Sequence, residues 1–304
     1  MIQKRTIKLS YLPTGPLPFT MLNDYMARAV LQKNRRTLKR LVAALLSISP
    51  DNIRSLVILN SIELGKSIKD KDCILDLKLC LNDDTIINIE LQILNLGNWP
   101  ERSLTYLCRA FDQTQSGGDY IDILPTIHIG ILDFNLPHLT PEFYSEFKMM
   151  NTKNHEVYSD KFILRVLNLK AIEDKSIIRG PIDLYDWALL FKARTWEELK
   201  MLAEKDECFE DTVVTFHEMT ADEKIREQCE AREKYNWDMA AAIHKGRTEG
   251  HAEGKKEGLA EGEQKLSKLT SLINRLHKER LFDDISKVTT DTDYREELYK
   301  KYGI

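Results

Sequence analysis

The spacing of apolar and polar positions divides the chain into a mixed first part and a helical second part. Over residues 20–32 (TMLNDYMARAVLQ) and 37–48 (TLKRLVAALLSI) apolar side chains recur every three or four positions, which predicts two amphipathic helices. Period-two patterns rich in Ile, Leu and Val predict strands at 55–64, 73–81 and 85–94. Pro100 then opens a helix that runs to Gln115 and is stopped by Gly117 and Gly118. Its wheel sets Leu104, Leu107, Cys108 and Phe111 toward the core and Arg102, Tyr106, Arg109 and Gln113 on the opposite, solvent side. Two more strands are predicted at 123–133 and 161–169, separated by a Pro-containing loop. Helices, strands, helix, strands in that order make a mixed α/β domain ending near residue 170.

Beyond residue 183 the pattern is helical. Thr195 with Glu198 and Thr220 with Glu223 each fit the T-x-x-E capping box, so each pair marks a helix start. Between 245 and 263 the chain repeats Glu-Gly, with glycines at 246, 250, 254, 258 and 262. Glycine inside a helix costs about 0.8–1 kcal/mol against Ala. The segment therefore reads either as a helix whose glycine stripe admits a close partner or as a charged linker. Helical sequence resumes at 265–282, and a last short helix is predicted at 292–301. The expected organisation is a core domain over 1–175, a helical region over 176–244 packed on or following it, the repeat over 245–264 and a helical end over 265–304.

Composition narrows the function classes. With 42% apolar and 30% charged residues the chain should fold rather than stay disordered. Its net charge of −4 supplies no global field for nucleic acid, so any such contact must be local. The clearest basic cluster is KNRRTLKR, where Lys33, Arg35, Arg36, Lys39 and Arg40 either neutralise phosphates or solvate a helix face. No apolar run is long enough to span a membrane, and no apolar signal core follows the start, so a cytoplasmic location is expected. The five cysteines include no C-x-x-C and read as reduced thiols. Phosphate-loop, serine-hydrolase and zinc-protease motifs are absent, and the seven histidines are scattered.

The hairpin at 73–93 carries the candidate chemistry. A three-residue loop, Asn82–Asp84, would set Leu75 opposite Leu91, Leu77 opposite Ile89 and Leu79 opposite Ile87, making one face wholly apolar. The same register sets Asp76 opposite Glu90. Like charges so placed destabilise a sheet unless something compensates. A divalent cation, Mg²⁺ or Mn²⁺, held by both carboxylates would do so, with Gln92 projecting beside it to hold a water or a phosphate oxygen. Alternatively both acids face solvent, screened by Lys78.

The pattern D-(x13)-E-x-Q resembles the PD-(D/E)XK nuclease superfamily. The chain is more closely similar to the Rpn group of bacterial recombination-promoting nucleases and transposases through NDYMARAVLQKN (23–34), ILNSIELG (58–65), DKDCILDLKLCLNDDTIINIELQ (70–92), NWPERSLTYLCRAFDQ (98–113), GGDY (117–120), IHIGILDF (127–134) and WALLFKARTWEELKMLAEK (187–205). That resemblance implies a mixed sheet flanked by helices, followed by a helical C-terminal region, and a Mg²⁺-dependent endonuclease acting on DNA in recombination or element mobility. Asp76, Glu90 and the Leu91 carbonyl would be the metal ligands. Gln92 would stand where the family usually has Lys, a departure that leaves the site more dependent on its metal, with Lys78 as a substitute cation. Asp24 either adds an acid or caps its helix. Arg102 and Gln113 would position phosphate. A dimer, formed through the C-terminal helices, would suit cutting of both strands. The rival reading is a nuclease-like fold kept for DNA or protein binding and assembled through the Gly/Glu repeat.

Overall fold

A computed structural model describes residues 9–60, 76–112, 119–137, 139–174 and 182–304. Helices α1 (Asp24–Lys33) and α2 (Arg35–Leu46) form where the three- and four-residue spacing predicts them. Asn34 separates them: its backbone N–H closes α1 on Val30, and its side chain accepts from the N–H groups of Arg36 and Thr37 to start α2. Asn23, and not Asp24, caps α1.

Six strands follow: β1 (Leu56–Ile58), β2 (Asp76–Leu81), β3 (Thr85–Gln92), β4 (Thr126–Leu132), β5 (Tyr144–Lys148) and β6 (Phe162–Asn168). They form one mixed sheet in the order β1-β2-β3-β4-β6-β5. β3, β4 and β6 are parallel neighbours and the remaining pairs are antiparallel. The expected strands at 55–64 and 73–81 are shorter where described, and residues 61–75 lie outside the described part. The edge strand β5 was not anticipated, because YSEFK carries no apolar alternation; its Glu146 instead meets the register partner Arg165 of β6 at 2.7 Å.

The β2–β3 hairpin has the anticipated register, with Leu77 opposite Ile89 and Leu79 opposite Ile87. Its turn uses Asn82 and Asp83 at positive φ (52° and 61°), a conformation Asn and Asp tolerate better than most residues. The apolar face of the sheet joins α1 and α2 with α4 (Ile182–Lys192), α5 (Trp196–Ala203) and α6 (Glu207–Ala221) in one core that includes Met26, Leu41, Ile89, Ile129, Trp187 and Phe216. The other face is covered by α3 (Trp99–Phe111). The family-like architecture expected of the sequence, a mixed sheet flanked by helices with a helical C-terminal region, is the one observed.

Thr195 and Glu198 make the predicted capping box at the start of α5. Thr220 does not cap its neighbour. It ends α6, donating to the His217 carbonyl, while Asp222 accepts the Ile225 N–H at the start of α7 (Glu223–Lys278). A carboxylate just outside the helix reaches its free N–H groups better than a hydroxyl already inside the preceding turn.

The chain divides into two compact units, Met1–Asp238 and Met239–Ile304. The second contains the later part of α7 with α8 (Phe282–Thr290) and α9 (Thr292–Tyr302), around a small core of Leu272, Leu276, Val288 and Leu298. α8 was not predicted. The expected helix to residue 282 ends four residues earlier, and the chain turns through Arg280 at φ 61°. The Gly/Glu repeat is helical throughout. Among the described residues, no helix is long and apolar enough to cross a membrane.

Candidate functional site

Period-two alternation in β3 sends Ile87, Ile89 and Leu91 into the main core and leaves Asn88, Glu90 and Gln92 facing α3. All three are buried, and Glu90 has no exposed surface. The parallel register with β4 places Glu90 beside Gly130 and Asn88 beside His128. The antiparallel register with β2 places Asp76 opposite Glu90 and Lys78 opposite Asn88. Only the backbone of Asp76 is described. Lys78 is half-buried, and its ammonium makes no ion pair among the described residues.

A fully buried carboxylate needs compensation, and α3 supplies it. Arg102 Nε donates to Glu90 Oε1 at 2.6 Å, and Arg102 Nη2 donates to the Tyr106 hydroxyl at 3.2 Å, with the guanidinium 4.9 Å from that ring's centre. The helix wheel had turned Arg102 and Tyr106 to solvent with Leu104 and Cys108 inward. The structure reverses this. Trp99, Ser103, Leu107 and Ala110 form the buried seam, while Leu104 is 49% exposed and Cys108 is exposed. The hydrophobic count alone cannot see that a strand beneath the helix carries a buried anion, toward which a long Arg stem will turn. Gln113 lies outside the described residues.

His128, which sequence reasoning passed over, completes the cluster. Asn88 Nδ2 lies 3.0 Å from His128 Nδ1, and His128 Nε2 lies 3.6 Å from Glu90 Oε2. Burial, reinforced by the positive charge of Arg102, lowers the imidazole pKa to about 4, so the ring is neutral near pH 7. The rings of Trp99 and Tyr106 lie near-parallel to it, at 5.8 and 6.1 Å. A Cβ on Gly130 would meet the Trp99 indole at 2.2 Å, so only glycine lets that ring lie against the strand. Gly130→Ala is expected to lower stability by about 1–3 kcal/mol, read by urea denaturation. One signal in the sequence could have exposed this group: His128 is the single imidazole among the otherwise aliphatic and small residues of TIHIGIL.

The donor set fits a hard divalent cation. Glu90 is a carboxylate, Gln92 Oε1 is a buried oxygen with no hydrogen-bond partner among the described residues, and Asp76 is in register. Gln92 is oriented through Nε2, which donates to the Leu94 carbonyl at 2.9 Å. Among the described residues no three His, Cys, Asp or Glu side chains converge, so such a site would rest on few carboxylates.

The remaining candidates lie elsewhere. Asp24, 5% exposed, is gripped by Arg232 of α7 at 2.7 and 2.8 Å and belongs to the helical layer on the other face of the sheet. It acts there as half of a structural ion pair. The basic cluster is divided. Arg36 pairs with Glu207 and Asp211, and Arg40 with Asp206, so both fasten α2 to α6. Lys33 is exposed at the end of α1, and Arg35 and Lys39 line a depression with Arg54. None of the five is brought to the Glu90 side of the sheet, because α1 and α2 pack on the opposite face.

No curated protein and no solved structure gives a significant match to the chain. A family profile does match, over residues 21–246, the segment that holds the sheet, the hairpin and α3. The chain belongs to the PD-(D/E)XK nuclease family transposases.

Proposed function

We propose that the protein is a metal-dependent DNA endonuclease that hydrolyses phosphodiester bonds during recombination or the movement of mobile elements. The observation that supports this most is the register pairing of Asp76 with a fully buried Glu90 in a chain of this family. Asp76, Glu90 and the Leu91 carbonyl would hold Mg²⁺ or Mn²⁺. The cation, when bound, supplies Lewis-acid polarisation of the scissile phosphate and a more acidic water. Gln92 would orient that water or a phosphate oxygen through Oε1, and Lys78 would add positive charge to the same face. Arg102 and Gln113 would position phosphate, with Lys33, Arg35 and Lys39 as outlying cations for the DNA backbone. Cys80, Cys108, Cys208 and Cys229 are free thiols, which agrees with the proposed cytoplasmic location. Incubation of plasmid with purified protein tests the activity. Nicking or linearisation should require Mg²⁺ or Mn²⁺ and stop with EDTA.

One observation favours a second reading, a nuclease fold that binds without cutting: Arg102 already holds Glu90. Mn²⁺ titration separates the two, since a binding-only protein need show no Glu90-dependent heat.

We place a homodimer on α7. Residues 244–268 are all exposed, and a methyl group added at any of the five repeat glycines would touch nothing within 4 Å. Glu249, Glu253, Glu257 and Glu261 each precede a glycine, whereas Arg247, His251 and Lys255 each follow one. Around Gly250 and Gly254 the stripe is thus flanked by acidic residues on one side and basic residues on the other, whereas Leu259 and Glu263 follow the last two glycines. In a parallel pair the acidic row of one helix faces the basic row of its copy. Gly254→Leu with Gly258→Leu should raise helix stability, by about 0.8–1 kcal/mol per glycine removed, yet yield monomer in sedimentation. A dimer that survives both substitutions would remove the repeat as its contact.

A further inference from the structure

His128 is fully buried in β4 and is not used by the reading above. With the Asn88 amide donating to Nδ1 at 3.0 Å, the proton of the neutral ring sits on Nε2. Nε2 lies 3.6 Å from Glu90 Oε2 and has no hydrogen-bond partner among the described residues. A buried donor left short of a partner is costly, and an apolar ring of similar shape would avoid that cost if packing were the only purpose. The surroundings instead hold the imidazole in one plane: Trp99 and Tyr106 stack near it, and Gly130 makes room for Trp99. Meanwhile Arg102 takes the other oxygen, Oε1.

We propose that His128 is a positioning residue for Glu90, its Nε2–H placed to close the 3.6 Å gap to Oε2 and so fix the plane of the carboxylate, with Asn88 setting the tautomer so that a donor and not a lone pair faces it. A neutral donor suits this place. It steers one oxygen without adding a second cation that would compete with a metal, and partners of this kind orient metal ligands generally. The role presupposes the reading of Glu90 as a metal ligand given above.

The test is calorimetric titration of the full chain with Mn²⁺ alone, with each variant's melting temperature measured in EDTA. His128→Phe keeps a flat ring without the donor and should weaken Mn²⁺ binding roughly 10-fold or more. His128→Gln returns an amide N–H near the Nε2 position and should stay within about threefold of the native protein. Glu90→Gln should abolish the binding. Native affinity in His128→Phe, while Glu90→Gln loses the metal, would overturn the positioning role and leave the metal site standing. Equal losses in His128→Phe and His128→Gln would also overturn it, in favour of simple packing. Native affinity in Glu90→Gln, or no binding by the unaltered chain, would remove both the metal site and the role of His128. If His128→Phe does not fold, Asn88→Ala takes its place. It keeps the ring but releases the tautomer, and unchanged affinity there would equally overturn the proposal.

Discussion

Glu90→Gln and Asp76→Ala are each expected to reduce plasmid cleavage by roughly 10³-fold or more, the equivalent of about 4 kcal/mol of lost transition-state stabilisation. The reason lies in the small number of available ligands. Gln92 is neutral and no three acidic, His or Cys side chains converge among the described residues, so loss of either carboxylate leaves little to hold a cation. Glu90→Gln also removes the charge partner of Arg102 while preserving the shape of the side chain. A quantitative nicking assay at saturating Mg²⁺ measures the effect, and cleavage that persists in both variants would assign catalysis to another part of the chain. Gln92→Lys, which restores the residue usual in the wider superfamily, makes an informative companion.

Arg232→Met should cost about 3–5 kcal/mol of folding stability near pH 8, because it leaves Asp24 buried without its counter-charge. The Asp24 side chain is 8% exposed and that of Arg232 14%. Burial raises the Asp24 pKa above its ordinary 3.8, against the opposing pull of Arg232 and of the Tyr25 N–H. A raised folded-state pKa means that protonation favours the folded chain. The stability linked to it is fully present below 3.8 and is lost as pH rises through the folded value. Removing Arg232 raises that pKa further, so the deficit should shrink as pH falls toward the unfolded value. Urea unfolding of the native chain and Arg232→Met at pH 8 and pH 5 reads both the size and the sign. A deficit that grows on acidification would show that Arg232 acts through its packing and not through Asp24.

The hairpin shows how far pattern alone reaches. Apolar alternation in β2 and β3 leaves one acceptable register, since a slip of one residue would turn every Ile and Leu outward. Asp76 therefore had to face Glu90, and the two strands pair in that way. The helices α1 and α2 and the strands β4 and β6 were legible as well, the helices from their three- and four-residue spacing and the strands as short apolar runs. β5 was hidden, because a charged edge strand is stabilised by pairing with β6 and not by its own pattern. The orientation of α3 was misread because four apolar side chains outvoted Arg102, whereas the buried charge of Glu90 decides where that side chain goes.

Local periodicity and turn chemistry, which act between residues a few positions apart, were enough to specify the hairpin, its register and the pair of acids it presents. The partners that make Glu90 a distinctive site come from two other places in the chain: Arg102 and Tyr106 from α3, and His128 from a parallel strand. So do the opposite fates of the charged residues once grouped as DNA contacts, with Arg36 and Arg40 tied to α6 and Arg102 to Glu90. Those choices are settled by burial, which sets the energetic need of each charge, and burial is a property of the assembled layers that no stretch of sequence contains by itself.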